Sequence, residues 1–351
     1  MSLPHGPGGP ADRPLPDSAP VTTASTPVRI CDIGGWTDTW FGGPGRVLNV
    51  AVAPGVEVSI TTAPGPDGVV LDLRSFGERY RIRPEAGRGR HRLVEAAVEA
   101  FPPPEGGAVT VTVTSSVPAG CGTGTSAAVT VALVGALAAL RGQDVSSRDA
   151  ARAAHRIEVE VLGGESGIQD QLAAALGGIN FLEIDHYPEA RVAPLPPWDE
   201  MGEVLSVVYL GRAHDSSAVH RQVIAETRDR RSVFSRLRDA AADARDAVAA
   251  RDLAGFGSAM IANTAAQWDL HPALIGSDAR RIIASAAAAG CLGWKVNGAG
   301  GEGGSVTLLS ATPDDKAELG RRVVALGGRY RVLPLRPSTG GLDVRRRGAP
   351  G

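Results

Sequence analysis

Val117-Pro-Ala-Gly-Cys-Gly-Thr-Gly-Thr-Ser-Ala-Ala128 leads into the most apolar helical pattern of the chain, Thr125–Leu140. Its glycines let backbone N–H groups turn toward one point without Cβ obstruction. The helix behind them adds unpaired N–H groups and the positive end of its dipole. Pro118, Gly120, Gly122, Thr123, Gly124, Thr125 and Ser126 therefore make a candidate anion cradle. The hydroxyls of Thr125 and Ser126 stand where a phosphate-bound Mg²⁺ could sit. Taken alone, the stretch reads equally well as a glycine turn ahead of a core helix. Two commoner nucleotide motifs are excluded. Neither lysine, Lys295 or Lys316, follows a GxxxxG pattern, and no acidic residue lies where a dinucleotide fingerprint needs it.

Outward from this loop, the N-terminal side alternates with a period of two and predicts strands at Val28–Asp32, Val47–Val52, Val56–Thr62, Val69–Leu73 and Val109–Thr114, with one helix at Arg92–Phe101. The C-terminal side turns helical at Thr125–Leu140, Ser147–Leu162 and Ile168–Leu176, followed by a strand at Ile179–Ile184. Pro194, Pro196 and Pro197 mark a boundary. A strand at Leu205–Leu210, helices within 216–289, strands at Gly293–Val296 and Val306–Leu309, a helix at Pro313–Leu326 and a strand at Tyr330–Leu335 complete the pattern. The order predicts two α+β domains, 21–195 and 203–340, rather than a strict βαβ alternation. The Pro- and Gly-rich residues 1–20 and the segment 341–351 are expected to be disordered tails.

Two further Gly-rich segments frame a site. Lys295-Val-Asn-Gly-Ala-Gly-Gly-Glu-Gly-Gly304 carries five glycines within seven residues, more than a hairpin turn needs. Gly298, Gly300 and Gly301 suggest close approach to a ligand or to the other loop. Arg29-Ile-Cys-Asp-Ile-Gly-Gly-Trp-Thr-Asp38 leaves a strand; Asp38 can accept two sugar hydroxyls, with Trp36 as an apolar plate beside it and Thr37 between them. An Asx turn with Trp36 in the core is the plainer reading. Phosphoryl transfer needs a cation, its ligands, donors for the phosphates and a carboxylate near the attacking hydroxyl. Ser126 and Glu158 supply hard oxygens for Mg²⁺, and Asp170 can take the proton or orient the hydroxyl.

Three Gly-rich motifs in this order resemble the GHMP kinases (galactokinase, homoserine kinase, mevalonate kinase and phosphomevalonate kinase), over about Thr26 to Leu335. Pro27-Val-Arg-Ile-Cys-Asp-Ile-Gly-Gly-Trp-Thr-Asp38 is similar to the sugar-kinase branch, above all to bacterial heptose-phosphate kinases and fucokinase-like enzymes. The resemblance implies an N-terminal domain like the second domain of ribosomal protein S5, a ferredoxin-like C-terminal domain, and ATP and Mg²⁺ in the cleft between them. It also implies Arg29 and Asp170 as catalytic residues, Asp38 as the grip on sugar hydroxyls, and Glu158 and Ser126 as Mg²⁺ ligands. The implied product is a sugar 1-phosphate. Two departures stand out: the cradle reads Gly-Thr-Gly-Thr-Ser, and Glu302 replaces a glycine. A carboxylate beside a triphosphate is repulsive, so Glu302 must point away or reach the metal.

Gly211-Arg-Ala-His-Asp-Ser-Ser-Ala218 enters a helix. Arg212, Ser216 and Ser217 suit a second anion such as the 7-phosphate of a heptose, while an N-cap with a solvated arginine is as common. The best reading of the acceptor is thus D-glycero-D-manno-heptose 7-phosphate. A free fucose- or galactose-like sugar, or a catalytically inactive sugar- and ATP-binding regulator, are the alternatives. A net charge of -2 gives no electrostatic reason for nucleic acid or an anionic membrane as partner. Three scattered cysteines, Cys31, Cys121 and Cys291, argue for a reducing cytoplasmic setting, and no stretch reads as a signal peptide or membrane span.

Overall fold

The computed structural model describes residues 21–82, 88–213, 216–226 and 231–347. The expected tail at 1–20 lies outside them. The N-terminal half builds a sheet from β1 (Val21–Ile33), β2 (Gly45–Ala63), β3 (Gly68–Leu73), β4 (Glu78–Arg81), β5 (Ala108–Ser115), β6 (Ile179–His186) and β7 (Glu189–Leu195). Helices α1 (Arg92–Ala100), α2 (Thr125–Leu140), α3 (Ser147–Arg156) and α4 (Gln169–Leu176) accompany it. The second half contains α5 (Glu200–Val204), β8 (Leu205–Tyr209), α6 (Ser216–Glu226), α7 (Arg231–Ala250), α8 (Leu253–Leu270), α9 (Ser277–Ala288), β9 (Gly293–Val296), β10 (Ser305–Leu309), α10 (Pro313–Ala325) and β11 (Arg331–Leu333). Two short strands, β12 (Arg336–Pro337) and β13 (Asp343–Arg347), end the chain's described part.

β2 organises the larger sheet. The two expected strands at Val47–Val52 and Val56–Thr62 are one long ribbon that pairs with β6 at its start, with β5 at its end and with β1 along most of its length. The path runs β13-β1-β2-β5-β3-β4. Alternation on β5 (Val109, Val111 and Val113 buried between half-buried threonines) is the pattern of a sheet with one covered face. α2 provides that cover. It is apolar nearly all round, and its residues Ala127 to Ala139 are almost entirely buried, so it runs through the core rather than over it.

The smaller sheet, β11-β8-β10-β9, carries its own core around Val208, Ile282, Val306 and Val323. Residues 343–347 correct the expectation of a disordered end: β13 pairs antiparallel with β1 from Val21 to Ser25, and Leu342 and Val344 pack against Gly135 of α2. The helix expected over Ser147–Leu162 changes its winding after Arg156, with Ile157–Val161 forming a π-helical turn. Such turns are rare and concentrate at functional sites; this one carries Glu158. Among the described residues no helix is long and apolar enough to cross a membrane.

Candidate active site

The end of β1, the head of α2, the π-turn and the head of α4 converge on one polar cleft. Arg29 leaves β1 buried, 4% exposed. Its Nε donates to Asp170 Oδ1 at 2.8 Å and its Nη2 to Oδ2 at 3.0 Å, a bidentate, charge-assisted pair. Its remaining nitrogen donates to the Gly122 carbonyl, and its backbone N–H to the Thr123 carbonyl. The arginine therefore ties the cradle to the carboxylate. Gly124 caps α2 at φ +68°, and a Cβ there would stand 3.2 Å from the Asp170 carboxylate and 3.4 Å from Arg29 Cγ. The pair lies directly under the head of α2, where Thr125 and Ser126 border the cleft.

Asp38 is buried and accepts from the Gln169 N–H at 3.3 Å. Burial, then the neighbouring Asp170, push its carboxyl up to about 7. Glu158 is raised to about 7 by the same two causes in the same order, although Gln171 Nε2 donates to it at 2.8 Å. Two carboxyls poised near neutrality beside an ionised pair are a mark of a functional site. Arg29, Trp36, Asp38, Gly120, Gly122, Gly124, Thr125, Ser126, Glu158, Asp170 and Gly298 all border this cleft of about 210 Å³. On the other side of Thr125 and Ser126 lies a second, largely apolar recess of about 290 Å³, walled by Leu73, Phe76, Leu93, Val113 and Val129.

Other expected residues are placed elsewhere. Thr37 is fully buried and its hydroxyl closes its own turn, donating to the Gly34 carbonyl at 2.7 Å. Thr123 is buried behind the loop, its hydroxyl 3.3 Å from that of Thr125. Pro118 precedes Ala119 and Gly120, which border the apolar recess. Gly300 and Gly301 turn away from the cleft: Gly301 N–H donates to the Leu274 carbonyl at 2.8 Å, and Gly298 and Ala299 are what the third loop offers. Arg212 is engaged by Asp278 at 2.9 Å and Glu302 at 3.3 Å and does not border the cleft. Ser216 begins α6; the side chains of Ser216 and Ser217, and His214, lie outside what is described. Glu302 points away from the cradle, accepting from the N–H and hydroxyl of Ser277 at the start of α9 (2.9 and 3.0 Å).

Several site residues escaped the sequence reading. Asp32, Glu165 and His220 all border the cleft. His220 Nδ1 donates to the Glu165 carbonyl at 2.6 Å and its ring meets Trp36 edge-on at 4.8 Å. Exposed Trp40 donates its indole N–H to the Glu165 carboxylate at 2.5 Å. Behind the cleft, fully buried Lys295 lies 3.3 Å from Asp32. The available signal was a lysine inside an apolar strand of a chain whose other basic residues, Lys316 apart, are arginines.

Residues 92–178, which contain the head of α2, the π-turn and α4, match the family model of the GHMP kinases N terminal domain. The mevalonate kinase of Thermococcus sibiricus is 27% identical over 243 residues, which is 63% of this chain and 65% of that enzyme. Less than two thirds of that relative's length is therefore matched. Among solved structures, a D-glycero-D-manno-heptose 1-phosphate kinase from Bacteriodes thetaiotaomicron superposes with a TM-score of 0.70 at 20% identity, covering 93% of this chain and 98% of that one. Galactokinase of Lactococcus lactis superposes with a TM-score of 0.70 at 17% identity, covering 92% and 95%. Residues 92–178 thus belong to the GHMP kinase N-terminal domain family, and the chain as a whole has the GHMP kinase fold. Its sequence relatives include mevalonate kinases and, over 74 residues at 36% identity, an L-arabinokinase of Arabidopsis thaliana, and its structural neighbours include both sugar kinases and mevalonate kinases.

Proposed function

We propose that the chain is an ATP-dependent kinase that transfers the γ-phosphoryl group to a hydroxyl of a neutral sugar. The carrying observation is the Arg29–Asp170 pair at the head of α2, in which Arg29 is buried and the half-buried Asp170 borders the cleft. The helix terminus offers N–H donors and positive potential to the phosphates, the apolar recess on one side suits a nucleoside, and the carboxylate waits on the other. As the acceptor oxygen bonds to the γ-phosphorus and the bond to the departing ADP oxygen breaks, Asp170 takes the hydroxyl proton. Arg29 holds both carboxylate oxygens in place for it.

Ser126 and Glu158 are hard oxygen donors and fit Mg²⁺. Bound there, the ion would screen the β- and γ-phosphate oxygens. The described residues hold no group of three acidic, His or Cys ligands. Mg²⁺ of this kind takes one or two protein ligands and completes its shell with phosphate and water.

The acceptor follows from charge. Asp38, Glu158 and Glu165 border the cleft in addition to Arg29, Asp170 and Asp32; Arg29 is already engaged by Asp170, and Asp32 by Lys295 behind the cleft. Hydroxyls donate well to such groups, whereas a carboxylate or phosphate on the acceptor is repelled. This weighs against mevalonate. It also weighs against heptose 7-phosphate, whose expected partner Arg212 is held by Asp278 and Glu302. The Asp–Arg pair suits an anomeric hydroxyl, the most acidic on a sugar, giving a sugar 1-phosphate. An ADP-release assay with free sugars, heptose 7-phosphate, mevalonate and homoserine tests the choice. A neutral sugar should have the highest kcat/KM; a higher value for any anionic acceptor overturns the acceptor, and tight ATP binding without turnover of any acceptor favours a regulator.

A further inference from the structure

A buried ion pair stands at the back of the cleft. Lys295 sits on β9 of the smaller sheet with its side chain 0% exposed, and its ammonium reaches Asp32 of β1, 4% exposed. A second donation from the same nitrogen goes to the Val296 carbonyl. Removing an ammonium and a carboxylate from water costs several kcal/mol each, and well-packed apolar side chains in their place are often as stable or more so. Stability alone does not account for the pair. Its surroundings do.

Asp32 accepts the Gly298 N–H on both oxygens at 3.1 Å, and Asn297 Oδ1 accepts the N–H of Cys31 at 3.2 Å. Strand β1 and the turn after β9 are thus joined residue by residue, 263 to 266 positions apart in sequence. The join presses Gly298 onto the cradle: a Cβ on Gly298, whose φ is +65°, would stand 2.8 Å from the Gly122 carbonyl oxygen. That same oxygen accepts from Arg29. The charges alternate along the row Lys295, Asp32, Arg29, Asp170, with Asp32 favouring the cationic form of Arg29.

We infer that Asp32 and Lys295 are positioning residues, whose buried pair holds Gly298 against Gly122 and so sets the Arg29–Asp170 pair at the head of α2. Neither touches the reacting atoms. The inference rests on the kinase reading, and it adds that the smaller sheet completes the phosphate cradle through this contact. Lys295 without Asp32 is a buried unpaired cation; Asp32 without Lys295 keeps the Gly298 N–H but gains an unneutralised charge beside the cleft. Neutralising both restores an uncharged, packed interior while abolishing the charge row that aligns Arg29.

The test uses the full chain with Asp32→Asn, Lys295→Met and the double variant, measuring Tm, Mg²⁺·ATP affinity by calorimetry, kcat, and KM for ATP and acceptor. Each single variant should lose Tm, and the double variant should regain most of that loss, because close partners are not additive. Its kcat should nevertheless stay about 30- to 100-fold below wild type, the scale of a misplaced catalytic group. Its acceptor KM should move by less than about threefold. A double variant with recovered Tm and wild-type kcat overturns the inference. Should these variants fail to fold, Gly298→Ala keeps both charges and forces the two loops apart; it should show the same kcat loss with an unchanged circular dichroism spectrum, and wild-type kcat there overturns the inference equally. Absence of Mg²⁺·ATP binding by the wild-type chain would overturn the kinase reading and this one together.

Discussion

Asp170 is held by Arg29 through both oxygens and by Gln169 Nε2 through one, so its free lone pairs point where an acceptor can use them. Asp170→Asn removes the proton acceptor and leaves the head of α2 intact. We expect kcat to fall by roughly 10²–10⁴ with Mg²⁺·ATP affinity changed only slightly by calorimetry; parallel losses of affinity and Tm would make Asp170 structural. Glu158, raised to about 7, must ionise to hold a metal. Mg²⁺ affinity should therefore rise with pH up to about 7 and level off above it, and Glu158→Gln should flatten that dependence. Arg29, Asp38, Ser126, Glu158 and Asp170 were singled out in the sequence because the family resemblance places them, since each alone has a plainer reading, and the fold brings all five to one cleft. Thr37 and Gly300 were not legible as structural, because a hydroxyl or glycine inside a motif can equally serve its own turn. Asp32 and Lys295 gain meaning only when two sheets meet.

At the scale of elements, apolar periodicity located the strands that hold fully buried residues and the longer helices, though not the short α5 with its buried Met201. It missed the polar, exposed strands: β4, β7 and β13, whose burial patterns hold almost no fully buried position. β13 reads as a basic tail, Asp343-Val-Arg-Arg-Arg347, yet it covers the open edge of β1, an edge that otherwise invites pairing with other chains. Deleting residues 342–351 should uncover that edge and the contacts of Leu342 and Val344 with α2. A loss of about 2–3 kcal/mol is expected, read as a lower Tm and as concentration-dependent association in sedimentation. An unchanged Tm would mean that the strand adds nothing. The π-turn was equally invisible in the pattern, since Ser147–Leu162 keeps helical spacing throughout; the changed winding is a tertiary outcome that accompanies the placing of half-buried Glu158 at the cleft.

Across the whole molecule, the cleft is held together against its own charge. Asp38 and Glu158 both have carboxyls raised to about 7 from ordinary values near 4. Between about 4.5 and 7 the folded chain keeps protons that the unfolded chain releases. Their contribution to stability is thus full at the acid end and lost as pH rises through 7. Buried His155 and half-buried His220, pushed below the usual imidazole range chiefly by desolvation, pull the opposite way as they lose their charge. The comparison must therefore be between variants. Asp38→Asn with Glu158→Gln should raise Tm at pH 8, by about 1–2 kcal/mol in stability, and leave it nearly unchanged at pH 4.5, with activity lost. An equal shift at both values would assign the gain to packing instead of charge. The central claim, transfer of phosphate to a neutral sugar by the Arg29–Asp170 site, is tested most directly by following label from [γ-³²P]ATP into products. Label should appear in a sugar 1-phosphate with the wild-type chain and not with Asp170→Asn. Label found only in inorganic phosphate, or in an acceptor that already carries a carboxylate or phosphate, would contradict it.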